Sequence, residues 1–198
     1  MFRRLAAGIA ALALSTTAGA TVVTLVNITP DADGFRFNYE GTLNPSEGMV
    51  SGNRLVIFDF AGYVEGSIFS SMADYVTSTE LVSGDPIAPG FDDDPDLVNL
   101  IFTYQGPDLR TSGGPYDSLS MDGFSAVSRY GLKTRDAFTA GSVKNNPAGD
   151  EGSQVITLGS LEVPVVPEPA TWAMMVSGFG IVGGMLRSRR RDPKGVLA

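Results

Sequence analysis

Seven short β-prone runs, divided by five clusters of turn residues, constrain the fold of this 198-residue chain more than any other feature. Phe35, Phe37 and Tyr39 alternate with Arg36, Asn38 and Glu40. A period of two is the pattern of a strand with one buried face. Leu55-Val56-Ile57-Phe58-Asp59-Phe60 and Leu97-Val98-Asn99-Leu100-Ile101-Phe102-Thr103-Tyr104 are compact β-prone runs of strand length. Val22 to Asn27, Tyr63 to Phe69, Phe124 to Tyr130 and Gln154 to Val163 complete the set. Asp33-Gly34, Ser51-Gly52-Asn53, Pro89-Gly90, Ser112-Gly113-Gly114-Pro115 and Asn146-Pro147-Ala148-Gly149-Asp150 separate them. Gly, Pro and Asn at such points turn the chain back on itself. One short helix is expected, around Ser70 to Thr79. The pattern predicts an all-β fold, an antiparallel β-sandwich of jelly-roll-like or Ig-like topology. Phe37 to Gly41 matches Phe102 to Gly106 in type at each position, but the flanks differ, so these are similar strand ends and not a repeat.

Both ends of the chain depart from this pattern. Arg3 and Arg4 precede an apolar stretch from Leu5 to Leu14, and Ala18-Gly19-Ala20 follows. A basic start, a short apolar core and an A-x-A site make a secretory signal peptide over residues 1–20, cut after Ala20. The mature chain is then expected to begin at Thr21. At the other end, Val166-Pro167-Glu168-Pro169-Ala170-Thr171-Trp172-Ala173-Met174-Met175 leads into an apolar, Gly-rich run that stops at Arg187-Ser188-Arg189-Arg190-Arg191. Arginines beside a hydrophobic segment stay on the cytoplasmic side. Arg187, Arg189, Arg190 and Arg191 therefore set the orientation and leave Pro167-Glu168-Pro169 outside. Trp172 falls at the outer edge, where an indole ring favours the interface. The apolar run from Trp172 to Leu186 covers 15 residues, short of the ~20 that a spanning helix needs. Gly180 and Gly184 form a G-x-x-x-G, a helix-packing spacing.

Between the two ends, residues 21–166 form one exported domain of 146 residues. Seven Lys and Arg and twenty Asp and Glu fall within it, a net charge near −13. Nucleic acid is excluded as a partner, because phosphate binding needs a basic surface. The chain has no Cys, so the fold is held by its core and not by disulfides. It has no His, which removes the Ser-His-Asp triad and His-ligated zinc.

The order Pro167-Glu168-Pro169, then Trp172-Ala173, then Gly178-Phe179-Gly180, then the arginines, resembles the PEP-CTERM sorting signal. More narrowly, it resembles the subtype with Trp-Ala soon after Pro-Glu-Pro. The resemblance covers residues 167–191, and a tail, residues 192–198, runs past the usual end. It implies recognition at Pro167-Glu168-Pro169 by exosortase, a membrane-embedded transpeptidase-like cysteine enzyme, and then release or attachment of the body. It also implies a passing or lasting association with the inner membrane, a destination at the cell surface or outside the cell, and association with exopolysaccharide in a biofilm matrix.

Candidate sites in the body are few. Asp92-Asp93-Asp94-Pro95-Asp96 is the densest carboxylate cluster and could supply oxygens to Ca²⁺. Its spacing lacks the calcium-loop pattern, so a solvated acidic loop is the simpler reading. Tyr63, Tyr75, Tyr104, Tyr116 and Tyr130 could stack on sugar rings if exposed, whereas core packing is the ordinary role of aromatics at strand periods. No catalytic motif stands out and no cofactor is expected, so the chain reads as a non-catalytic surface or matrix protein. The alternatives are a glycan-binding sandwich assisted by Ca²⁺, and a secreted hydrolase built on two carboxylates.

Overall fold

A computed structural model describes residues 21–110, 118–145, 151–167 and 169–189. It contains β1 (Val22–Asp31), β2 (Gly34–Leu43), β3 (Glu47–Met49), β4 (Arg54–Phe60), β5 (Phe69–Ser70) and β6 (Tyr75–Glu80). β7 (Val98–Tyr104), β8 (Leu109–Arg110), β9 (Leu119–Ser128), β10 (Lys133–Lys144), β11 (Gln154–Pro164) and α1 (Pro169–Arg189) follow. Every strand pair is antiparallel. The smaller sheet has the order β1-β2-β9-β5. The larger runs β6-β7-β4-β10-β3-β8, with β11 also paired to β10. The expected all-β sandwich is the observed architecture.

Alternation builds the space between the sheets. Phe37, Tyr39 and Leu43 point inward from β2 and are buried, as are Met121 and Phe124 from β9. Leu55, Ile57, Phe60, Leu100, Phe102 and Tyr104 meet them from the larger sheet. The Phe124 ring lies 4.9 Å from Phe102 and 5.0 Å from Tyr75, in the tilted and edge-on arrangements that aromatic rings prefer. Tyr39 adds a cross-sheet tie, its hydroxyl donating to the Glu162 carbonyl at 3.1 Å.

The larger sheet is covered on its outer face as well. Val56, Phe58, Ile101 and Ala137 project there and are buried under Ile87, Ala88 and Phe91. The segment from 81 to 97 thus acts as a lid of irregular chain. Arg54 clamps its start, pairing with Glu80 at 3.0 Å and Asp85 at 3.2 Å. Thr139 holds its middle by donating to the Pro86 carbonyl. A sheet covered on both faces needs strands that are apolar at successive positions, which is how Leu55 to Phe58 reads.

Three sequence expectations change. The helix expected at Ser70 to Thr79 is the end of β5, a turn, and then β6. Val76, Thr77 and Thr79 are β-branched and suit a strand, and Tyr75 is anchored by ring contacts to Tyr104 and Phe124. The run Tyr63 to Phe69 is mostly loop, with one bridge from Tyr63 to Ser128 and Phe69 entering β5. Gly62 and Gly66, at φ 66° and 76°, turn the backbone out of line there. β10 was not expected, because Lys133 to Lys144 lacks an apolar alternation. It has neighbours on both edges and is buried on both faces along its middle, so Ala137, Thr139, Ala140 and Ser142 suit it by being small.

Candidate functional site

The C-terminal segment begins where the sandwich ends. β11 closes at Pro164, and the Val165 N–H donates to the Leu132 carbonyl at 3.0 Å, which pins the exit to the β9–β10 turn. Val166 is exposed and Pro167 half-buried. Glu168 lies outside the described residues. α1 opens at Pro169, where a proline costs no helical hydrogen bond and already has a helical φ. Trp172 lies in the first turns of α1 and Ala173 is exposed beside it. Arg187 is exposed in the last turn and Arg189 ends the helix, whereas Arg190 and Arg191 fall outside the described residues. The signal-peptide positions Ala18 and Ala20 also fall outside them.

α1 is apolar on every side. Met174, Met175, Val176, Phe179, Ile181, Val182 and Met185 are all exposed. A helix that is apolar all round suits an apolar environment and not a water-facing surface. Among the described residues, no helix is long and apolar enough to cross a membrane. By this measure α1 is short of a full span, as the 15-residue apolar run in the sequence is. Among the described residues, nothing lies within 4 Å of a Cβ placed on Gly180.

The acidic cluster is woven into the lid. Asp93 accepts from the Ser83 N–H at 2.7 Å and from Asn99 Nδ2 at 2.8 Å. Asn99 is fully buried, and its Oδ1 accepts from the Asp59 N–H at 2.9 Å. Asp59 Oδ1 in turn accepts from the Asp94 N–H at 3.0 Å, and Asp94 Oδ1 accepts from the Asp96 N–H at 2.9 Å. Asp92 is exposed. Among the described residues, no group of three or more acidic, His or Cys side chains is placed to hold a metal ion.

Asp59 was not singled out from the sequence. It sits in a bulge of β4 opposite β7, with φ 54°, a left-handed conformation that Asp tolerates. Only 6% of it is exposed. Burial pushes its carboxyl up to about 6, against the hydrogen bond from Asp94, and the charges of Asp136, Asp93 and Asp94 push the same way. Burial and Asp93 also raise the Asp136 carboxyl, although the Ala137 N–H at 2.7 Å opposes this. Two carboxyls shifted upward are what a general acid needs. Here, however, Asp59 is covered by the lid backbone, and the cluster closes a loop over a sheet.

The smaller sheet leaves its outer face open. Arg36, Asn38, Ser67, Phe69 and Ser125 line a groove of about 490 Å³ there. Arg36 is fixed by Asp31 at 3.0 Å, the Ser67 carbonyl at 3.3 Å and Ser125 Oγ at 3.2 Å. Phe69 stands at the rim, 54% exposed. The tyrosines proposed for sugar stacking lie elsewhere. Tyr75 and Tyr104 are buried, Tyr63 and Tyr130 are half-buried, and Tyr116 lies outside the described residues.

The molecule is thus of a definite class, an all-β domain followed at once by an apolar helix with basic residues at its end. Residues 165–191 match the family model for the PEP-CTERM protein-sorting motif. The chain carries this sorting signal at its C-terminal end, and the signal implies an exported protein processed by exosortase. No curated protein and no solved structure matches the chain.

Proposed function

We propose that this chain is a non-catalytic protein of the cell surface or extracellular matrix, held at the inner membrane by its C-terminal signal until exosortase acts at Pro167-Glu168-Pro169. The observation that carries the reading is the join itself, a sorting motif set between a closed sandwich and an exposed apolar helix. The body supplies a soluble, acidic module and the signal supplies its address. Association with exopolysaccharide in a biofilm fits this destination. The test is the double substitution Pro167→Ala with Glu168→Ala in the native host. The expected outcome is a chain that stays in the inner-membrane fraction at full C-terminal length. Maturation and release like the parent would overturn the exosortase reading.

The groove on the smaller sheet supports a second reading, a glycan-binding module. Its volume suits a small ligand, and it offers an exposed ring, an amide and a guanidinium together. Loss of affinity for soluble host polysaccharide in Phe69→Ala and Asn38→Ala, measured by calorimetry, is the result this reading requires.

A further inference from the structure

The cations of the body are distributed unevenly. Three of its seven Lys and Arg, namely Arg129, Lys133 and Arg135, fall within seven residues at the β9–β10 turn. Arg36, Arg54, Arg110 and Lys133 are engaged by acids. Among the described residues, Arg129 and Arg135 form no ion pair, and both are exposed. Twenty acids share the same domain, so free arginines are not a chance of composition.

This turn is also where the sorting signal leaves. The Val165 N–H is bonded to the Leu132 carbonyl, at the end of the turn. Leu132 is 58% exposed and Val166 is 44% exposed, which adds two apolar side chains between the arginines and the exit. Only positions 166 to 168 separate the bonded Val165 from the start of α1. Three residues reach at most about 10 Å. A body on so short a tether must present one pole to whatever surface holds the helix.

We infer that this pole, formed by Arg129, Leu132, Arg135 and Val166, docks on the anionic lipid surface of the membrane that holds the sorting signal. The inference rests on the proposed membrane-held intermediate. An anionic leaflet repels a domain with a net charge near −13. The least repelled orientation turns the cations toward the lipid. Asp33 and Glu65 on the adjoining turns balance the two free arginines, and Glu162 neutralises Lys133, so this pole is near neutral on a body whose net charge is near −13. Basic side chains gain from an anionic surface only within about a Debye length, and the tether keeps them inside that range. Leu132 and Val166 then enter the interface, as single exposed apolar side chains do beside a basic cluster. The contact is intramolecular once the signal is inserted, so a weak attraction suffices to orient the body. Its consequence is a fixed presentation of the chain at Pro167 to the membrane-embedded enzyme.

The chain has no cysteine, so a single introduced thiol can be labelled cleanly. The full chain is prepared with Thr134→Cys at this pole or Ser51→Cys at the opposite end of the sandwich, each carrying an environment-sensitive fluorophore. Eight steps along β10 lead from Lys133 to Gly141, which lies against the start of β4, a distance of about 26 Å. Vesicles of phosphatidylcholine, with and without phosphatidylglycerol, carry a headgroup quencher. The chain is recovered with them by flotation. The expected result is strong quenching at position 134, weak quenching at 51, and a contrast that grows with phosphatidylglycerol. Arg129→Ser with Arg135→Ser should lower the ratio of docked to undocked body on the order of tenfold and remove its dependence on phosphatidylglycerol. Leu132→Ser reads the apolar part separately. Flotation with equal quenching at both positions, or with no dependence on the arginines, overturns the inference alone. Failure to float overturns the membrane-held intermediate and the inference with it.

Discussion

Asp59→Asn should stabilise the domain at neutral pH and leave it nearly unchanged at pH 4. The side chain lies under the lid with its carboxyl raised to about 6. An unfolded aspartate titrates near 3.9. Because the folded value is the higher, the native state favours the protonated form. Stability from this group is fully present below the unfolded value and is lost as pH rises from about 4 to about 6. Two pH units at ~1.4 kcal/mol each set an upper limit of about 3 kcal/mol. Screening by the polar lid halves this to about 1.5 kcal/mol. Asn keeps the acceptor for the Asp94 N–H, tolerates the left-handed φ of 54°, and carries no charge. The assay is urea unfolding of the fragment Thr21 to Val166, parent and variant, from pH 4 to pH 7. The fragment is suited to this because the core closes within the strands and the described apolar side chains of α1 lie outside it. The variant's advantage should grow by about 1.5 kcal/mol across that range, or roughly 3–6 °C in Tm. An advantage that does not change with pH would refute the clustered-carboxyl argument, and a variant that is less stable at pH 7 would show that Asp59 is needed as an anion.

Two further outcomes test the packing and the acidic loop. Phe124→Ala removes a fully buried ring that contacts Tyr75 and Phe102, and should cost about 3–5 kcal/mol in chemical unfolding. A cost below 1 kcal/mol would mean that the two sheets do not meet there. Thermal melts of the same fragment in EDTA and in millimolar Ca²⁺ should nearly coincide, because the Asp93 and Asp94 carboxylates already accept lid hydrogen bonds. A rise of roughly ten degrees with Ca²⁺ would establish a tight site in the loop.

What the sequence made legible follows from how far a signal reaches along the chain. The inward face of β2 was readable because Phe37 and Tyr39 alternate with polar residues that face water. β4 and β7 were readable because continuous apolar runs of strand length are rare outside buried strands. The sorting signal was readable because its three parts are contiguous and ordered. β10 was not readable, because its small residues answer to β3 and β4, which are distant in sequence, as well as to β11. The lid shows the same limit. Ile87, Ala88 and Phe91 look like loop residues until Val56 and Phe58 are placed beneath them, although the unbroken run Leu55 to Phe58 already called for a cover on the second face. Asp59 stayed hidden for a similar reason. Its environment is set by Asp93, Asp94 and Asp136, which the bulge in β4 and the closure of the lid bring together.

Under the proposed docking, the placement of charge ties the domain to its sorting. The lid gathers carboxylates over the larger sheet, where their mutual repulsion costs stability, and Arg54 clamps the lid at one end. Cations could have been placed among those acids to relieve that cost. Instead Arg129 and Arg135 stand unpaired at the pole where the chain leaves for α1. A freely soluble domain gains little from that arrangement, since isolated surface charges contribute almost nothing to stability. A domain held about 10 Å from an anionic surface gains an orientation from it. The unpaired arginines therefore make sense for a body that spends part of its life beside a membrane, and their value should vanish once the sorting signal has been removed.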